Sequence, residues 1–162
     1  MKNVGFHGGH TVYNCGTSLD MYIFFQCIAQ ITSGMSTSLL TDGLYRRYLE
    51  KNDLHLASEQ ALQVEALFSR TLPTEINWDD IGGNISLSTL CLDKGNLATI
   101  FSEHFKNFYN AVKSSESFYH DFGTYVPVKT VISDLPWFIE DKNRPLEQYD
   151  ALGPDDLPFW LR

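Results

Sequence analysis

Apolar positions recur at helical spacing in four stretches of the chain, and polar, glycine-rich or proline-rich segments separate them. From Leu19 to Thr32 the run Met21, Tyr22, Ile23, Phe24, Phe25, Cys27, Ile28 and Ala29 is apolar nearly all round. That pattern predicts a helix at the centre of the fold, capped by Ser18 and ended near Gly34. Leu44, Tyr45, Tyr48 and Leu49 predict a second helix over about 42–51. Leu54, Ala57, Ala61, Val64 and Phe68, widened by Leu62 and Leu67, predict a third from about 53 to 70, closed by Pro73. Ile100, Phe101, Phe105, Phe108, Tyr109 and Val112 predict a fourth over about 96–114.

Between these stretches the signals are shorter. Val4–Phe6 and Thr11–Tyr13 read as short edge strands, and Tyr125–Val131 as extended chain around Pro127. Ile85–Leu92 alternates imperfectly, which fits a short strand with a helix as its rival. From Ile132 onward Pro136, Pro145, Pro154 and Pro158 cut the chain into short pieces that still hold many aromatics. The expected fold is mainly α, or α+β with a small β element, in one compact domain spanning 1–162. Residues 1–17 are expected at its periphery. The proline-rich segment 132–162 is expected to wrap the helical body and dock through its aromatics.

Composition changes this picture in two ways. The 162 residues are 43% hydrophobic and 14% aromatic, enough for a real core and too apolar for a disordered chain. The net charge is −8, which weighs against a general nucleic-acid binder because polyanions need a basic surface. Cys15, Cys27 and Cys91 form no close pair, and an odd count fits a reducing compartment. The N-terminus lacks a signal peptide's apolar segment, and the run at 19–31 is too short and interrupted to span a membrane. A cytoplasmic protein is expected.

Few residues suggest chemistry. His7, His10 and Cys15 are the best metal-like cluster, but their spacing matches no standard finger and no fourth ligand is evident. Gly5, Gly8 and Gly9 lack the Gly-Lys-Ser/Thr ending of a phosphate loop. His104 and His120, near Ser114, Ser115 and Ser117, sit in no nucleophile-elbow pattern. Arg46, Arg47 and Lys51, interleaved with Tyr45 and Tyr48, offer three positive charges, a thin basis for nucleic-acid contact. No catalytic residue, metal ligand or cofactor is assigned, and the chain is not expected to be an enzyme.

Acidity remains. Carboxylates on a rigid body pair with the lysines and arginines of a basic partner, speeding encounter and fixing orientation. One candidate set is Glu75, Asp79 and Asp80. A second is Glu140, Asp141, Glu147, Asp150, Asp155 and Asp156. Trp78 or Trp160 would supply an apolar anchor beside the charges.

The whole form, a small acidic chain with several aromatic-rich helices, resembles bacterial immunity proteins of the contact-dependent growth inhibition or polymorphic-toxin class. The segment Leu54–Pro73 and the closing run GPDDLPFWLR at 153–162 carry the likeness along the chain. The resemblance implies non-catalytic binding to one cognate toxin, often a nuclease, inside the producing cell. The charge and the lack of a long apolar run lead to no expectation of direct nucleic-acid or membrane contact. Two other readings stand beside the resemblance. One is a small metal-dependent hydrolase built on the N-terminal His/Cys cluster. The other is a non-catalytic adaptor subunit.

Overall fold

The computed structural model describes residues 2–82, 85–134 and 157–161. Two antiparallel strands, β1 (Asn3–Gly8) and β2 (Thr11–Thr17), lead directly into helix α1 (Ser18–Ile31). Helix α2 (Leu54–Phe68), the short helices α3 (Trp78–Ile81) and α4 (Leu97–Ile100), and the long helix α5 (Ser102–Phe122) follow. Strand β3 (Lys129–Ile132) then returns to the sheet, whose order is β2-β1-β3. The fold is mainly helical with a small open sheet, an α+β arrangement.

The N-terminal strand is not at the edge or the periphery. β1 lies between β2 and β3, antiparallel to both. Val4 and Phe6 are fully buried. Glycines make that position reachable. A Cβ on Gly5 would meet the Tyr13 carbonyl of β2, and one on Gly8 would stand 2.0 Å from the Ala111 carbonyl of α5. The glycines that read as a loose segment are therefore sites of close backbone approach. Only β2 is the edge strand that the sequence suggested.

Helix α1 matches its expected span, with its cap one residue earlier: the Thr17 hydroxyl accepts from Asp20 N–H at 3.1 Å. α2 buries Leu54, Ala57, Ala61, Val64 and Phe68, the expected stripe, and leaves Leu62 exposed. The fourth predicted helix is split. Asn96 caps α4, the chain turns at Phe101, and α5 continues to Phe122, eight residues past its expected end.

Two elements differ more. The helix expected at 42–51 is shifted and ends early: a π-helix spans Leu39–Leu44, helical backbone runs on to Arg46, and a bridge from Leu49 to Val128 follows. Leu49 N–H donates to Val128 O at 2.8 Å, and its own carbonyl accepts from Tyr125 OH at 2.5 Å. Pairing with distant backbone outweighs local helical spacing there. At 85–92 there is neither a strand nor an α-helix. A single 3-10 turn, Ile85–Leu87, leads into a loop held by Asp20.

The core is aromatic. Phe24 meets Phe68, Phe101 and Phe105 at ring separations of 5.2–6.2 Å. Phe25 joins Tyr45 and Trp160 in a second cluster. Near the C-terminus, Phe159 and Trp160 are both buried, and the Trp160 indole donates to Tyr45 O at 2.9 Å.

Candidate protein-binding surface

Residues 72–81 build an acidic feature of the described surface that is tied to α1 by hydrogen bonds. Ile76 and Ile81 are buried and root the segment in the core. Asn77 and Gln30 of α1 exchange two hydrogen bonds. Asn77 N–H donates to Gln30 Oε1 at 2.7 Å, and Gln30 Nε2 donates to Asn77 O at 3.0 Å. Tyr22 OH, also on α1, donates to Ile81 O at 2.7 Å. Within the segment, Trp78 Nε1 donates to Pro73 O at 3.0 Å. The segment is thus a knuckle clamped at two points to the central helix.

On the outside of this knuckle Glu75, Asp79 and Asp80 are all exposed, and Trp78 is half-buried among them. Glu75 accepts from Leu72 N–H at 2.6 Å, and Asp80 accepts from Asn77 Nδ2 at 2.9 Å. No ion pair among the described residues neutralises any of the three. Leu72, half exposed, lies at the base. The first candidate set is therefore brought together with an aromatic beside it.

The other expected contacts fare differently. Trp160 cannot serve as a surface anchor, because it is only 1% exposed and its ring packs on Phe25 and Tyr45. Its place beside Asp155 and Asp156 made it a candidate anchor; the indole hydrogen bond to Tyr45 O holds it in the core instead. Glu140, Asp141, Glu147, Asp150, Asp155 and Asp156 lie outside the described residues.

The metal-like cluster is dispersed. His7 is buried on the central strand, while His10 is exposed on the β1–β2 turn. Burial pushes the Cys15 thiol up to about 12, so its sulfur is a protonated thiol rather than a nucleophilic thiolate. Among the described residues no three His, Cys, Asp or Glu side chains gather in a form that would hold a metal ion. The basic patch is also taken up. Tyr45 is buried, Arg46 pairs with Asp42 at 3.5 Å, and the Lys51 ammonium sits 3.8 Å from the centre of the Tyr119 ring.

Two buried polar groups were not foreseen. Asp20, in the first turn of α1, accepts from Ser88 Oγ at 2.7 Å, Thr89 N–H at 3.1 Å and Thr89 Oγ1. It carries no motif; its only sequence signal is a carboxylate in an apolar helix. Asp20→Ala is expected to leave those donors unmet and to cost about 2 kcal/mol. Hydrogen exchange should show the Thr89 amide opening in this variant while α2 amides exchange only as fast as the lower global stability dictates.

His104 is the second. It is 3% exposed, and its ring lies 5.0 Å from Phe24 and 5.4 Å from Phe101. Neither ring nitrogen has a hydrogen-bond partner. Burial holds it down at about 4, the nearby Asp20 charge opposing that only in part. His104 is a neutral member of the aromatic core, not an accessible general base.

A shallow cleft of about 390 Å³ lies between the β1–β2 turn and α5, with His10, Tyr13, Lys113, Ser114, Phe118 and Asp121 in its walls. Tyr13 OH and Ser114 Oγ are hydrogen-bonded across it. His10 stands edge-on to Phe118, with ring centres 4.3 Å apart. The cleft places His10 near a carboxylate, but no hydrogen bond links His10 to Asp121 or to a serine among the described residues. No helix among the described residues is long and apolar enough to cross a membrane. Comparison with protein-family models, curated proteins and solved structures finds no match to this chain.

Proposed function

We propose that this protein is an immunity protein of the contact-dependent growth inhibition or polymorphic-toxin class. It binds its cognate toxin in the cytoplasm of the producing cell and covers the basic surface that the toxin uses on its substrate. A nuclease is the favoured target, because a nucleic-acid site is basic and an acidic protein can occupy it.

The observation that carries this reading is the clamped acidic knuckle. Three exposed carboxylates and a half-buried tryptophan stand on a segment tied to α1 by the Gln30–Asn77 pair and the Tyr22–Ile81 bond. Groups already fixed in place lose little freedom on binding, so more of their interaction energy appears as affinity. The chain's net charge of −8 adds long-range attraction for a basic partner.

The test pairs the chain with the toxin encoded beside its gene. Co-expression is expected to protect cells and to yield a stable complex. Replacing Asp79 and Asp80 together by lysine is expected to slow association about tenfold at low salt, with less effect at high salt. Failure of the unaltered protein to bind or protect would remove the reading. Metal analysis separates the hydrolase alternative: stoichiometric zinc in untagged protein would favour it over the inhibitor.

A further inference from the structure

Among the described residues the outer edge of β2 is unpaired. The sheet order is β2-β1-β3, and no strand among the described residues pairs with the far side of Thr11–Thr17. Natural sheets protect such edges with charged residues, proline or a covering element. The sequence Thr-Val-Tyr-Asn-Cys-Gly-Thr carries no charge and no proline. The register irregularity opposite Val4 and Gly5 disturbs only its C-terminal end.

The free main-chain groups can be placed. Gly8 pairs with Thr11 across the two-residue turn and Phe6 pairs with Tyr13, so Thr11 and Tyr13 turn their main chain toward β1; a Cβ on Gly5 would accordingly meet the Tyr13 carbonyl. In an antiparallel ladder the neighbours then turn the other way, so Val12 and Asn14 present their main chain to the open side. The Asn14 carbonyl accepts from Asn107 Nδ2 at 2.9 Å. Among the described residues Val12 N–H and C=O and Asn14 N–H are left to receive another strand.

The cleft of about 390 Å³ runs beside this edge, with Thr11 and Tyr13 in one wall and Phe118 and Phe122 of α5 in the other. Phe122 is 66% exposed, the most exposed large apolar side chain among the described residues. A strand laid on β2 would send alternate side chains over this cleft, the arrangement by which strand addition gains both affinity and selectivity.

We propose that the β2 edge and its cleft form a docking site for an extended segment of a basic partner protein, added to the sheet as a fourth strand. The segment carries a large apolar side chain for the cleft and basic residues toward both ends. Asp121 lines the cleft beside Thr11, with Lys113 in the same lining, and the chain's charge of −8 supplies the wider attraction for a basic segment. A second copy of this chain is the wrong occupant, because each copy brings a charge of −8. The proposal deepens the inhibitor reading, and rests on it for the partner's identity, by naming where the partner is held.

The test needs no toxin, so its failure is distinct from failure of that reading. The probe is the synthetic peptide Thr-Lys-Val-Phe-Val-Lys-Thr, added to the full chain at low salt. Amide exchange at Val12 and Asn14 is expected to slow at least tenfold. A peptide N-methylated on the amides that would face β2, and one with glutamate for both lysines, are each expected to bind at least tenfold more weakly. Unchanged exchange at Val12 and Asn14, or equal binding by the N-methylated peptide, would overturn the proposal. So would concentration-dependent protection of the same amides in the protein alone, which would assign the edge to a second copy.

Discussion

Gly8→Ala is expected to destabilise the protein by at least about 3 kcal/mol, at the upper end of what overpacking costs. The added Cβ would stand 2.0 Å from the Ala111 carbonyl oxygen and 2.6 Å from its carbon, both backbone atoms of α5. A side chain can rotate away from a new methyl group, but the middle of a helix cannot. Gly9 follows with the same helix at its back, facing the Ser114 carbonyl and donating its N–H to Ser115 Oγ at 3.0 Å. The only relief is for α5 to lift from β1, which loosens the Phe6–Phe108 contact. Urea denaturation of Gly8→Ala should show a much lower midpoint. Adding Ala111→Gly should not restore it, because the obstruction is main chain; recovery in that double variant would show the clash to be misassigned.

The second large effect appears with acid. His104 has an ordinary value of 6.5 when the chain is unfolded and is held at about 4 in the folded protein by burial. Between those values the unfolded chain binds the proton and the folded one does not. The stabilisation is complete above pH 6.5 and is lost as pH falls toward 4. At 1.36 kcal/mol per pH unit the loss is about 3 kcal/mol over that window. His104→Leu keeps an apolar group against Phe24 and Phe101 without the proton site. Its stability should fall less steeply between pH 6.5 and 4, by up to about 1.4 kcal/mol per pH unit. Parallel curves for the two proteins would mean that another group governs the acid limb.

Sequence patterning reaches the helices well and the sheet poorly. The stripe on α2 is legible because each of its members is four or three residues from the next and all five pack on one side. α1 is legible for the opposite reason, being apolar on every side. β1 was misplaced because its centrality depends on β3, more than a hundred residues later, and on glycines whose use shows only when α5 is laid across them. Leu49 illustrates the same limit. Its spacing with Tyr45 is helical, yet Val128 and Tyr125 claim its backbone.

The site divides along similar lines. Acidic residues close in sequence, Glu75, Asp79 and Asp80, stay close in space, so that set could be read directly. The clamp that stiffens them comes from Tyr22 and Gln30 on another element and has no local signal. Trp160 docks on the body, as the tail's aromatics were expected to, so it is not the partner anchor that its acidic neighbours suggested; sequence alone does not separate the two roles. Asp20 and His104 were missed as buried polar groups because burial is a property of the assembled fold.

The path of the chain through the core has a consequence for biosynthesis. β1 waits for β3, more than a hundred residues further on, to pair on one side, and Tyr45 waits for an indole 115 residues further on. Contacts of such range slow folding, since a large loop must close before they repay it. The sheet cannot be completed while its last strand is still within the ribosome. During that interval the uncharged β1–β2 hairpin and the apolar α1 stand without their final cover, and chaperone demand should be greatest then.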